Sequence, residues 1–311
     1  MKQPPYHLRP NKSVDRLLLV EVIRKLETRE DLDKYTYYGF GGPYLEEFRL
    51  LYELCPNIKM VSIEEDEQIY KRQRFHLPCA NLKLINEQFS FFLAEYESKD
   101  EKSVFWLDYT ELKYGAFDDF MTLLTKVTAD SVIKITLRAK PNDFHDKAEE
   151  FRSMFGQVLP NSSIEPPRKN PEFASLLQEM LQVAAEKALP TSSDLTFLPL
   201  SSFYYSDGTD MFTLTGMVCL RKDITDIKKL YHDWSYANLN WGNPQKIDLP
   251  MLSTKERLHL QKHLPRERID GSTLLKELGH LVAENRSETI KKLEQYARFH
   301  RHYPYFVKAV P

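Results

Sequence analysis

The stretch Lys34-Tyr-Thr-Tyr-Tyr-Gly-Phe-Gly-Gly-Pro43 decides how this chain is read. Its aromatic and β-branched residues have the composition of a buried strand. Gly39, Gly41 and Gly42 then supply a turn whose backbone can take conformations closed to other residues. From residue 44 to about 54, Leu45, Phe48, Leu51, Tyr52 and Leu54 recur at helical spacing, and Cys55-Pro56-Asn57 stops the pattern. A second apolar run, residues 58–64, ends in Glu64, 25 residues after Gly39.

Strand, Gly-x-Gly turn, helix, strand and acid follow one another as they do where a Rossmann-like sheet holds the ribose of a nucleotide. The glycines let the backbone approach the ligand, and the acid accepts hydrogen bonds from ribose hydroxyls. A nucleotide-like cofactor is therefore the leading expectation. The strand phase makes Glu64 the ribose partner, with Glu65 as the alternative. The bland reading of Glu64-Glu65-Asp66-Glu67 is a solvated acidic helix start, favoured by the helix dipole.

Outward from this stretch the alternation continues. Ser13 reads as an N-cap after an extended lead-in over residues 1–12, with Leu17, Leu18, Val20, Val22, Ile23 and Leu26 at helical spacing behind it. A polar helix over 67–75 precedes a short strand over 81–85 and a short helix over 90–97. Val104-Phe-Trp-Leu-Asp108 is a strong strand that ends in an acid. A helix over 117–127 and a strand over 131–137 follow. Between residues 142 and 171 the pattern weakens among prolines, and a helix over 172–188 restores it. Residues 194–205 and 211–220 then read as a β-hairpin around Ser206-Asp-Gly-Thr-Asp210. Strands alternating with helices argue for a mostly parallel, doubly wound sheet, here closed by an antiparallel hairpin.

From about residue 222 the composition shifts to polar helix formers, with helices expected over 254–263, 272–281 and 287–301. The domain reading is therefore 13–222 for the Rossmann-like domain and 223–311 for a C-terminal helical region docking on it.

The chain has 311 residues and a formal net charge of −2, so no overall basic field draws it to nucleic acid. Three widely separated cysteines form no Cys-x-x-Cys pair, which argues for a reducing compartment. The N-terminus has no apolar signal-like run, and the longest aliphatic runs are too short to span a bilayer. A soluble cytoplasmic protein is the expectation.

On these residues the chain resembles the class I S-adenosylmethionine-dependent methyltransferases over roughly residues 13–222. The resemblance rests on the architecture, the glycine turn, Glu64 and the closing hairpin, and the form without a tight motif is O-methyltransferase-like. It implies a seven-stranded sheet in the order 3-2-1-4-5-7-6, with S-adenosylmethionine as cofactor. It further implies that Gly39, Phe40, Gly41 and Gly42 approach the methionine part, that Glu64 holds the ribose, and that Glu87, Gln88 and Phe89 flank the adenine. Asp108 and Tyr109 would face the transferred methyl or the acceptor.

Two departures stand out. The third glycine of the family's Gly-x-Gly-x-Gly is Pro43 here. The fourth strand ends Asp-Tyr-Thr-Glu111 instead of the Asn/Asp-Pro-Pro-Tyr of enzymes that methylate base or glutamine amides. That favours O-methyl transfer, or a divergent family of unassigned substrate. The rival readings are a catalytically silent scaffold of the same fold and an NAD-type oxidoreductase. The missing third glycine and the hairpin argue against the oxidoreductase.

Other features carry bland readings beside sharp ones. Asp108 could instead cap the following turn. His259-x-x-x-His263 has the spacing of a zinc pair but lacks an evident third ligand, so it reads as a solvated helix face, and no metal is expected. His76-x-x-Cys79 has no matching half. Lys71-Arg72-Gln73-Arg74 and the tail Arg298-Phe-His-Arg-His-Tyr-Pro-Tyr-Phe306 suit phosphate contact, or packing with wet cations, and packing is favoured. Trp234, Tyr236 and Trp241 could cover a substrate pocket, and core packing between the two parts is the favoured reading. Tyr204, Tyr205 and Asp207 at the hairpin tip could line an acceptor site. The acceptor stays open among proteins, RNA, DNA and small molecules. The C-terminal helices are a candidate surface for a protein partner.

Overall fold

The computed structural model describes residues 9–98, 101–160, 165–265 and 270–304. The chain divides into two compact units, a larger one of residues 19–204 and 209–245 and a smaller one of residues 1–18, 205–208 and 246–311.

In the larger unit, β1 (Tyr35–Gly39), β2 (Lys59–Glu64), β3 (Leu82–Asn86), β4 (Lys102–Asp108) and β5 (Ser131–Arg138) alternate with α2 (Glu46–Leu54), α3 (Glu67–Phe75), α4 (Phe89–Glu95) and α5 (Tyr114–Lys126). These strands pair in parallel, β3 with β2, β2 with β1, β1 with β4 and β4 with β5. After α6 (Ala148–Phe155) and α7 (Asn170–Ala188) come the long strands β6 (Leu195–Ser206) and β7 (Asp210–Leu220). β7 runs antiparallel to β5, from Ser131 opposite Val218 to Arg138 opposite Met211. The order is β3-β2-β1-β4-β5-β7-β6, as the resemblance implies, and a three-residue strand, β8 (Gln245–Ile247), comes last. The expected seven strands thus become eight, because three residues are too few to show an alternation in sequence.

One face of β5 places Ile133, Ile135 and Leu137 in the main apolar core, with Phe117, Phe120, Leu123 and Leu124 of α5 and Phe173, Leu177, Met180 and Leu181 of α7. Burying each such side chain contributes about 1.5–3 kcal/mol. The alternate residues Lys134 and Thr136 are buried as well. Lys134 Nζ lies 5.0 Å from the centre of the Trp106 ring, and Trp106 Nε1 donates to Thr136 Oγ1 at 2.9 Å.

Two local readings differ from the structure. α1 (Pro10–Leu26) begins at Pro10, not after Ser13. Proline suits a first helical turn, and Ser13 N donates to Arg9 O at 3.0 Å inside the helix. Residues 1–8 of the expected lead-in lie outside the described residues. In the stretch read as patternless, α6 forms because Phe151 packs on Phe144 at 4.9 Å and on Phe155 at 4.9 Å. Tertiary contacts of that kind leave little periodicity in eight residues.

The aromatics of the connection after α8 (Ile224–His232) pack within the larger unit. Trp234 Nε1 donates to Glu21 Oε2 at 2.7 Å, and the Trp241 ring lies 6.0 Å from Phe197.

The smaller unit contains α9 (Thr254–Gln261), α10 (Gly271–Leu278) and α11 (Arg286–Phe299). A Ser253–Glu256 capping box starts α9, and Asn285 caps α11. At the hairpin tip Asp207 accepts from Lys12 N at 2.8 Å and Asn11 Nδ2 at 2.9 Å, so its carboxylate serves the first turn of α1. Tyr303 of the tail is buried, accepting from Leu252 N and donating to Pro250 O, both at 2.9 Å. Tyr305 and Phe306 lie outside the described residues. Among the described residues no helix is long and apolar enough to cross a membrane.

Candidate cofactor site

The carboxyl ends of the parallel strands bring the sequence-predicted residues to one edge of the sheet. Gly39, the last residue of β1, sits opposite Ser62 of β2 and Trp106 of β4. Glu64 and Asp108 each end a neighbouring strand two residues further on, opposite Asn86 and Thr136. β1 lies between β2 and β4, where the chain changes its direction of winding, and open α/β sheets bind ligands at such switch points.

The turn itself is tightly specified. Gly41 and Gly42 have φ values of +72° and +51°, in the left-handed region, and Gly42 N donates to Phe40 O at 2.9 Å. A Cβ on Gly41 would stand 2.7 Å from Leu45 Cδ2, 2.8 Å from Ser62 Oγ and 2.9 Å from Phe48 Cε2, so only glycine fits. A Cβ on Gly42 would meet open space, which leaves room for a ligand against the main chain there.

Gln73 of α3, fully buried, donates through Nε2 to Phe40 O at 2.9 Å and Gly42 O at 3.0 Å, and its Oε1 accepts from Ser62 Oγ at 3.1 Å. Two turn carbonyls are thereby tied to the sheet and to α3. Sequence reasoning missed Gln73 because it stands inside a basic run that reads as a solvated face. The signal available was weak, a polar residue six positions after the first residue of α3, on its inward side.

Glu64 is half-buried, and its Oε1 accepts from Asp66 N at 2.9 Å. Burial pushes its pKa up to about 7, with Asp66 and Glu65 adding to the shift and backbone N–H bonds opposing it. Its main-chain carbonyl accepts from Asn86 Nδ2 at 2.7 Å and Glu87 N at 3.1 Å, which locks the ends of β2 and β3 together. Asp66 caps α3 by accepting from Gln68 N and Ile69 N. The acidic run therefore divides, with Asp66 on the helix, Glu64 at the strand end and Glu65 exposed.

Phe40 links the remaining members. Its ring meets the edges of Phe89 at 5.3 Å and Tyr109 at 5.5 Å. Phe89 is buried at the start of α4, while Gln88, the N-cap position before it, is exposed. Tyr109 donates its hydroxyl to Asp119 Oδ2 at 2.6 Å. Burial, together with Asp119, raises the Tyr109 pKa above its ordinary value, and burial also raises that of Asp119. Asp108 is half-buried at the end of β4. Gly39–Gly42, Phe89 and Tyr109 thus form one contiguous wall, Glu64 and Asp108 end the flanking strands, and Glu65 and Gln88 lie at the rim.

This sheet order, with a glycine turn after β1 and an acid ending β2, defines the class of S-adenosylmethionine-dependent methyltransferases. Residues 4–311 match the family described as "Putative O-methyltransferase", and the chain belongs to that family. Similar solved structures include Trm1 from Pyrococcus horikoshii in complex with S-adenosyl-L-methionine, at 12% identity over 92% of this chain and 76% of that chain, TM-score 0.49. A "putative O-methyltransferase" from Klebsiella pneumoniae is similar at 13% identity over 70% and 82%, TM-score 0.39. A "probable spermidine synthase" from Corynebacterium glutamicum is similar at 12% identity over 77% and 80%, TM-score 0.44. No curated protein matches the chain.

Proposed function

We propose that this chain transfers the methyl group of S-adenosylmethionine to a hydroxyl oxygen, with the cofactor held across the ends of β1, β2 and β3. The observation that carries the reading is Glu64. It is a half-buried carboxyl ending the strand next to a turn with two left-handed glycines.

The donor set suits the cofactor. The Glu64 carboxylate accepts the two ribose hydroxyls, having acceptor sites beyond the one Asp66 N uses. The main chain of Gly39, Phe40, Gly41 and Gly42 faces the aminoacyl end. Phe89 offers an apolar wall to the adenine, and Gln88 and Glu65 supply polar contacts at the rim. Bound there, S-adenosylmethionine supplies an electrophilic methyl on a sulfonium.

The chain's own chemistry is positioning and proton removal. Asp108 takes the proton of the acceptor hydroxyl at its carboxylate oxygen. Tyr109 presents its ring to the acceptor, since its hydroxyl is already donated to Asp119. The family description supports oxygen as the methylated atom. Three free, widely spaced cysteines support work in a reducing compartment such as the cytoplasm.

The test is thermal unfolding with and without S-adenosylhomocysteine, beside Glu64→Ala. A ligand that binds only the native state raises the midpoint by mass action. A rise in the wild type that is lost in a folded Glu64→Ala supports the reading. No rise at millimolar ligand overturns it and leaves the fold as a scaffold.

A further inference from the structure

The smaller unit carries a side-chain cluster that methyl transfer does not use. His259 lies in the last turn of α9. His263 lies two residues past its end, where Lys262 N donates to His259 O and His263 N donates to Leu260 O, at 3.3 and 3.0 Å, so the chain stays coiled. The two rings remain on one side, with centroids 5.5 Å apart and planes at 61°. The last turn of α10 meets them. Glu277 Oε2 is 3.5 Å from His263 Nε2, and His259 Nε2 is 2.9 Å from the main-chain oxygen of Glu277. One ligand atom from each of the three residues lies within 4.8 Å of the other two. A second contact, His280 Nε2 to Glu256 Oε1 at 2.7 Å, ties the same two helices together.

We propose that His259, His263 and Glu277 bind a zinc ion. A carbonyl oxygen carries no proton, so the hydrogen in the His259–Glu277 main-chain contact sits on His259 Nε2. That leaves a lone pair on Nδ1, and an outer hydrogen bond of this kind is what orients imidazoles that bind metals. Tetrahedral zinc with bonds of about 2.0–2.1 Å sets its ligand atoms about 3.4 Å apart. The His263–Glu277 separation of 3.5 Å already meets that spacing. Both histidines and Glu277 are partly or fully open to solvent, so small side-chain rotations can bring in the third atom.

Two imidazoles and one carboxylate are a zinc donor set, whereas magnesium and calcium require oxygen ligands. The three protein ligands leave the fourth position to water. A separate ion pair and a helix cap would explain each contact singly. Zinc explains why they converge, with two ligands from the end of α9 and one from the end of α10.

The test uses tag-free, full-length protein stripped with a chelator and then titrated with cobalt(II), followed by zinc. One equivalent of cobalt with the visible absorption of a four- or five-coordinate ion, displaced by one equivalent of zinc, is expected. His263→Ala and His259→Ala should each weaken binding by about 100-fold or more, since even the loss of an outer partner costs about 10–100-fold. His280→Ala should retain binding. Should a variant fail to fold by circular dichroism, the wild-type titration still decides. Absence of a visible cobalt band together with substoichiometric zinc overturns the proposal, as does unchanged affinity in a folded His259→Ala/His263→Ala double variant.

Discussion

If the ionised form of Glu64 holds the ribose, cofactor affinity must depend on pH through this one carboxyl. Its pKa is pushed up to about 7 from an ordinary value of 4.5, with burial the largest cause. The native protein thus binds more protons at this group than the unfolded chain between those two values. Its contribution to stability therefore falls as pH rises through that window, because a charge is being formed in a half-buried place.

Ligand binding runs the other way. Two hydroxyl donors prefer the carboxylate, so binding releases the proton. At pH 5.5 about one molecule in 30 is ionised before the ligand arrives, and near pH 8 almost all are. The dissociation constant for S-adenosylhomocysteine should accordingly be about 30-fold larger at pH 5.5 than at pH 8. Water reaching a half-buried carboxyl trims this, so the expected range is about fivefold to 30-fold.

Isothermal titration calorimetry across that range, in buffers of different ionisation heat, reads both the affinity and the released proton. Glu64→Gln keeps the shape and removes the titration. Its affinity should be about tenfold or more weaker at pH 8, from the loss of hydrogen bonds to a charged group, and flat with pH. A wild-type affinity that does not change between pH 5.5 and 8 refutes the reasoning, as does an equal slope in Glu64→Gln.

The other expectations are more local. Gly41→Ala forces a Cβ to within 2.7–2.9 Å of three neighbours at a left-handed φ, so it should destabilise the protein by about 1–3 kcal/mol and abolish the S-adenosylhomocysteine-induced rise in midpoint. Gln73→Leu removes both donors to the Phe40 and Gly42 carbonyls and should cost about 1–3 kcal/mol in urea unfolding, with weaker cofactor binding in whatever fraction folds. Asp108→Asn should lower kcat by about 10²–10⁴-fold once an acceptor is found, with the slope of the rate against pH lost as well. An Asp108→Asn variant with near-normal kcat would instead mark that carboxylate as a structural cap.

The fold was legible wherever one residue type repeats its physics over a whole element. Val104–Leu107 is apolar and Ser131–Leu137 is rich in β-branched residues over enough length to announce buried strands, and the hairpin announces itself by its alternation and its Asp207-Gly208 turn. The parts that stayed hidden are those held by few, distant contacts. α6 depends on Phe144 and Phe173, which lie outside it, and β8 is three residues long. Glu64 could be read from its distance behind the glycine turn. Gln73 could not, because its role is set by two carbonyls 31 and 33 residues away. His259 and His263 were visible as a pair, whereas Glu277 needed α10 to fold back along α9 before it could count as a third ligand.

The departure at Pro43 shows how the turn tolerates a sequence that breaks the expected glycine pattern. Proline is tolerated in the first turn of a helix, where its missing N–H is harmless, but α2 starts only at Glu46 and Pro43 sits buried in the turn before it. Leu45, two residues after Pro43, adopts a left-handed conformation at φ +54°. For a residue with a Cβ that costs about 1–2 kcal/mol. Leu45 is also fully buried, and removing a leucine side chain from water contributes about 1.5–3 kcal/mol, enough to offset the strain. Leu45 N donates to Gly41 O at 3.1 Å, which closes the coil over Gly41. Three left-handed residues within five are held by Gln73 through two turn carbonyls and by Leu45 N through Gly41 O. The close approach of backbone to ligand is then left to Gly42, the position whose Cβ direction is open.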